Sequence, residues 1–103
     1  MTGEGHCVYL VRCSDGSLYT GYARDVLARV AVHNAGTGAK YTRARRPVVL
    51  AAWADLRDQH LALSAEWHLK RLTKPAKEAL VTQYQVNPDD FRRSVLALLG
   101  QSG

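Results

Sequence analysis

Residues 8–21 read VYLVRCSDGSLYTG, two short apolar runs around SDGS, with one tyrosine in each run. The mixture of β-branched, aromatic and aliphatic residues is that of strands, and Asp-Gly between them is a hairpin signal. Strands are therefore predicted over CVYLVRC (7–13) and SLYTG (17–21). Loop length decides where the side chains go. A two-residue loop centred on Asp15 and Gly16 pairs Arg12 with Tyr19 and sends Tyr9 and Tyr19 to opposite faces. A three-residue loop, a type I turn followed by a left-handed Gly16, pairs Val11 with Tyr19 and Tyr9 with Gly21. Only the second register sets both rings on one face.

Working outward, RDVLARVAVHN (24–34) reads as a helix capped by Asp25, with Val26, Leu27, Val30, Ala31 and Asn34 on its apolar side. Arg29 and His33 lie four residues apart at the edge of that stripe, on neighbouring turns. The loop GTGAKYTRARRP (36–47) leads into a third strand, VVLAAWA (48–54). A small mixed sheet with helices on one side accommodates these elements. Asp58 caps the next helix, whose face is Leu61, Ala62, Ala65, Leu69 and Leu72, with Glu66 at its margin. TKPAKEALVTQY restarts a helix with Thr73 as cap and Pro75 in the first turn, where a missing N–H costs little. NPDDFRRSVLALLG closes the chain with Asn87 as cap, acids at the positive helix end and Gly100 as stop.

At 103 residues one core suffices, and the 47% hydrophobic, 22% charged composition is that of a globular chain rather than a disordered one. The longest apolar run is far short of a membrane span, and the amino terminus lacks a secretory pattern, so a cytoplasmic location is expected. Cys7 and Cys13 fall in one strand, roughly 20 Å apart if extended, and are expected as free thiols. The net charge of +5 is concentrated in Lys40, Arg43, Arg45 and Arg46, within seven residues free of acids. Such a patch points to a polyanion, nucleic acid first, with Tyr41 offering a stacking face. No zinc-like spacing, EF-hand, phosphate loop or nucleophile motif is present. Chemistry would have to come from tyrosine, arginine, histidine and a lone carboxylate.

Each of these residues alone has an ordinary structural reading: Tyr9 and Tyr19 as packed strand rings, and Glu66 as an exposed helical pair with Lys70. Taken in order, CVY, YTG, ARVAVHN, GTGAKYTRARRP and SAEWHLKRLTK resemble the GIY-YIG nuclease superfamily, and most closely its short single-domain bacterial members. The match runs from about residue 6 to 84, with Cys7 in place of the name-giving glycine and Thr20 in place of isoleucine.

That resemblance implies an α/β fold, a three-stranded sheet flanked by helices in the order β-β-α-β-α-α plus a C-terminal helix. The nuclease-like domain would cover 1–85, with 86–103 a helical extension packed on it. It also implies hydrolysis of DNA phosphodiester bonds with one divalent ion, Mg2+ or Mn2+. Tyr9, alone or with His33, would help deprotonate the attacking water, and Tyr19 would orient the phosphate or the water. Arg29 would stabilise phosphate charge, Glu66 would ligate the ion, and Gly21 matches the closing glycine of the second motif. Lys40, Tyr41, Arg43, Arg45 and Arg46 would contact nucleic acid. A partner protein supplying target specificity is a further expectation, since no recognition domain is appended. The alternative is a non-catalytic nucleic-acid-binding module using loop 40–46. A helix-mediated protein-interaction role for FRRSVLALLG (91–100) is weaker, because a small domain needs those leucines for its own core.

Overall fold

The computed structural model describes residues 5–100. Strands β1 (Cys7–Arg12) and β2 (Leu18–Ala23) are followed by helices α1 (Val26–Asn34) and α2 (Lys40–Arg43). Then come β3 (Val49–Asp55), α3 (Gln59–Lys70), α4 (Lys74–Val86) and α5 (Pro88–Leu98). The outer limits of the two expected divisions, residues 1–4 and 101–103, lie outside the described residues.

The hairpin takes the three-residue form. Gly16 has φ +86° and donates its N–H to the Cys13 carbonyl, while the Cys13 N–H bonds to Ser17. Only glycine enters this left-handed region without strain. The Asp15 carboxylate accepts from the Ser17 N–H and hydroxyl, bracing the turn. The resulting register pairs Tyr9 with Gly21 and Val11 with Tyr19.

The sheet order is β2-β1-β3, and both pairings are antiparallel, which corrects the expectation of a mixed sheet. Helices cover both faces, not one. Val8 and Leu10 point into the main core, shared with Ala62, Ala65 and Leu69 of α3, Val81 of α4 and Phe91, Val95 and Leu96 of α5. Cys7, Tyr9, Val11 and Cys13 point the other way, toward Val26 and Val30 of α1. A central strand buried on both faces needs an unbroken apolar run, and CVYLV is that run. Both cysteines are buried free thiols, and burial, followed by Asp55, pushes the Cys7 thiol up to about 11.

A β-bulge at Ala51 shifts the β1–β3 register between Leu10 and Val11. It puts Ala51 and Ala52 on the same face, so Leu50 and Trp53 both pack on the α1 side although they are three positions apart. The start of β3 is held by Asn34, whose side-chain amide donates to the Val48 carbonyl at 2.9 Å and accepts its N–H at 2.7 Å.

The expected caps hold: Asp25, Asp58, Thr73 and Asn87 each accept a first-turn N–H. The expected face of α1 holds only in part. Leu27 is 68% exposed and Ala31 is exposed, whereas Val26, Val30 and His33 face the sheet. Hydrophobicity misleads there because His33 meets the polar side chains of Tyr9 and Thr42 rather than apolar neighbours. Loop 36–47 also contains a short helix, α2, that composition did not indicate.

Thr20 on β2 is buried, and its hydroxyl finds no hydrogen-bond partner among the described residues. Its neighbours on this face of the sheet are apolar. Thr20→Val keeps the shape and removes the unpaired hydroxyl, so it is expected to stabilise the fold by about 1 kcal/mol. Thermal unfolding should show a higher Tm; an unchanged or lower one would contradict this account.

Candidate active site

Tyr9 comes from the central strand, Tyr19 and Gly21 from β2, Arg29 and His33 from α1, and Glu66 from α3. All six line one cleft of about 400 Å³. Among the described residues Glu66 is the only acid that lines it. A larger hollow of about 770 Å³ beside β3 and α5 shares none of these residues.

The hairpin register explains the core of the site. Gly21 sits opposite Tyr9, and a Cβ there would collide with the Tyr9 hydroxyl and ring. Gly38 plays the same part beside His33, where a Cβ would strike the imidazole at Nδ1. Between these two bare positions the Tyr9 hydroxyl and His33 Nε2 are hydrogen-bonded at 2.7 Å. Both residues are almost fully buried, at 1% and 2% exposure. His33 Nδ1 is 2.8 Å from the hydroxyl of Thr42. Tyr19 meets the imidazole edge-on, with ring centroids 5.5 Å apart.

Electrostatics define the resting protonation states. Burial drives the Tyr9 phenol far above its ordinary value of 10, helped by Tyr19 and Glu66 and only partly opposed by Arg29. Tyr9 is thus a neutral phenol at rest; the cationic surroundings do not create a standing phenolate. Burial, followed by Arg29, lowers the His33 pKa below its ordinary 6.5, so its imidazole is neutral at pH 7. A neutral imidazole against a neutral phenol is an arrangement that can accept and relay one proton.

Glu66 makes the helical pair with Lys70, at 3.2 Å, while also facing the cleft. Lys70 in turn lies 5.6 Å from the centre of the Tyr19 ring, which brings a second cation to the margin of the site.

The basic cluster divides by role. Lys40 and Arg43 are exposed on α2 beside the cleft. Arg45 is committed to Asp15 at 3.1 Å and to the Tyr41 carbonyl at 2.9 Å, tying this segment to the hairpin turn. Arg46 turns back onto the backbone, donating to the Arg43 and Asn34 carbonyls. The Tyr41 ring stacks on Tyr19 at 5.9 Å and carries the Arg45 guanidinium 3.9 Å from its centre. Tyr41 thus braces Tyr19 instead of offering an unencumbered face. Thr42, Gly38 and Lys70 were absent from the sequence-based set. A threonine in a polar loop carries no local signal of burial, and a glycine chosen for close approach looks like any loop glycine.

Comparison with known proteins bears on the family and the fold. Residues 5–79 match the model of the GIY-YIG catalytic domain. A UPF0213 protein of Lacticaseibacillus paracasei is 49% identical over 86 residues, covering 84% of this chain and 97% of the relative. One from Staphylococcus aureus is 50% identical over 80 residues, covering 78% and 98%. The solution structure of a UPF0213 protein from Bacillus halodurans superposes with TM-score 0.51 at 43% identity, over 77% of this chain and 84% of that one. A solution structure from E. faecalis gives TM-score 0.58 at 34% identity, over 84% and 94%. With the ordered motifs, the cleft they build and these relatives in agreement, the chain belongs to the GIY-YIG family, among its small UPF0213 proteins.

Proposed function

We propose that this protein is a metal-dependent endonuclease that hydrolyses phosphodiester bonds of DNA. The observation that carries this reading is the convergence of Tyr9, Tyr19, Arg29, His33 and Glu66 from four elements on one cleft. A binding module would need neither a buried phenol–imidazole pair nor a carboxylate set among cations.

Among the described residues no group of three His, Cys, Asp or Glu side chains could hold an ion. Glu66 alone suits Mg2+ or Mn2+, which favour oxygen ligands, keep several waters and draw further ligands from substrate phosphate. Bound there, the ion would supply charge stabilisation to the phosphate. Tyr9 and His33 would take up the proton of the attacking water. Arg29 would stabilise the phosphate charge, since its guanidinium suits phosphate geometry. Tyr19, held by Tyr41 and His33, would orient the phosphate or the water. Lys40 and Arg43 would meet the flanking backbone, and the expected partner protein would add target choice.

The direct test is incubation of the purified protein with labelled single-stranded, duplex and branched DNA, and with RNA, in Mg2+ or Mn2+. Cleavage of at least one DNA form is expected. Salt-sensitive binding without turnover on any form would instead mark a nucleic-acid binder.

The pH dependence has a defined sign. His33 must be neutral to accept a proton, so log(kcat/KM) should rise with slope of about one on the acid side of its depressed pKa, with the midpoint of that limb below the ordinary 6.5. A pH–rate profile measures this directly. An acid limb centred above 6.5 would contradict the assignment of His33.

A further inference from the structure

Thr42 lies on α2 with no exposed surface, yet its hydroxyl is fully engaged. Thr42 Oγ1 donates to the Ala39 carbonyl at 3.0 Å and stands 2.8 Å from His33 Nδ1. A hydroxyl has one proton, and a carbonyl only accepts. With that proton committed to Ala39, Thr42 can show His33 only a lone pair. Nδ1 must then carry the imidazole hydrogen. A neutral imidazole has one N–H, so Nε2 is bare, and the Tyr9 hydroxyl at 2.7 Å donates to it.

We propose that Thr42 is a positioning residue that sets the tautomer of His33, so that the Nε2 lone pair faces Tyr9 and the proton relay runs in one direction. The chain of donors is Tyr9 hydroxyl to His33 Nε2, His33 Nδ1 to Thr42 Oγ1, and Thr42 hydroxyl to the Ala39 carbonyl. In the hydrolysis proposed above, on which this role rests, a water O–H bond breaks and its proton moves to the Tyr9 oxygen. The Tyr9 O–H bond breaks in turn, and that proton forms the new N–H bond at Nε2. The hydroxide left behind forms a new bond to phosphorus as the bond from phosphorus to one sugar oxygen breaks, and that leaving oxygen takes up a proton from solvent water. The resulting imidazolium keeps Nδ1–H on Thr42 and Nε2–H on Tyr9, so neither donor is stranded in a buried site. Gly38, packed against Nδ1, leaves the ring little room to flip.

The test compares wild type, Thr42→Val and Thr42→Ser in the full chain. Valine preserves shape and removes the hydroxyl; serine keeps the hydroxyl. In 15N-labelled protein without substrate, imidazole proton–nitrogen correlation spectra should show His33 as the Nδ1–H tautomer in wild type and in Thr42→Ser. Thr42→Val should convert it to Nε2–H, since only Tyr9 then offers a partner. With the cleavage assay, Thr42→Val should lose about 100-fold in kcat, with KM changed less than about threefold, while Thr42→Ser stays within about threefold of wild type. An Nε2–H tautomer in wild type overturns the proposal, whether or not Thr42→Val folds. So does a Thr42→Val protein that retains Nδ1–H, or one that changes tautomer and keeps its kcat. If wild type cuts no nucleic acid, the nuclease reading fails and the relay's catalytic role falls with it, while the spectrum still decides whether Thr42 sets the tautomer.

Discussion

Tyr9→Phe is expected to lower kcat by about three orders of magnitude while leaving nucleic-acid binding and the fold in place. The ring is 1% exposed and packs between the sheet and α1, so phenylalanine keeps the packing and loses one oxygen. That oxygen is the hydrogen-bond partner of His33 Nε2 and the group that fills the space over β2 where Gly21 has no side chain. Its removal disconnects the imidazole from the cleft. A buried Nε2 without a donor costs about 1–3 kcal/mol, partly offset because the phenol no longer needs to be desolvated. A small drop in Tm is therefore expected beside a large drop in turnover. Tyr84, which packs edge-on against Phe91 in the main core, provides the control: Tyr84→Phe should leave kcat unchanged. Tyr9→Phe within tenfold of wild type would remove the phenol from the mechanism.

Glu66→Gln should have a comparable effect by a different route. The amide matches the carboxylate in size, and the pair it breaks with Lys70 is a helical surface pair worth only about 0.3–0.5 kcal/mol, so Tm should barely move. What disappears is the acidic group that, among the described residues, alone lines the cleft. A divalent ion held by that carboxylate would lose its charged anchor. With several kcal/mol of charge stabilisation at stake, a fall in kcat of about 10³ or more is expected. Binding should be retained or strengthened, because Arg29 and a released Lys70 then face the phosphates without an opposing charge. Paired binding and cleavage measurements across a Mg2+ titration would separate the two effects. Full turnover in Glu66→Gln would eliminate the proposed ion site.

The parts legible in the sequence were those encoded by near neighbours. Asp25, Asp58, Thr73 and Asn87 cap helices because a short polar side chain reaches an N–H two or three residues away. The orientation of β3 and its bulge at Ala51 were not legible, since strand pairing over forty residues leaves no mark in VVLAAWA itself. Nor was the division of labour in the basic loop. Lys40, Arg43, Arg45 and Arg46 have the same local chemistry, and only their distant contacts separate Arg45 and Arg46, which brace the backbone, from the other two.

By itself the sequence determined the strand-forming hairpin, the caps and the order of motifs that marks the family. It narrowed Tyr9 and Tyr19 to two registers, and a turn in which Gly16 but not Asp15 is left-handed goes with the one that places both rings beside α1. Only the tertiary structure decided that His33 is on the buried face of α1, that Thr42 reaches its far nitrogen and that Glu66 on α3 lines the same cleft as Tyr9 and Gly21. The reason is physical: caps and turns are satisfied by atoms a few residues apart, whereas a buried polar chain is satisfied by groups that meet only once the sheet is covered on both faces.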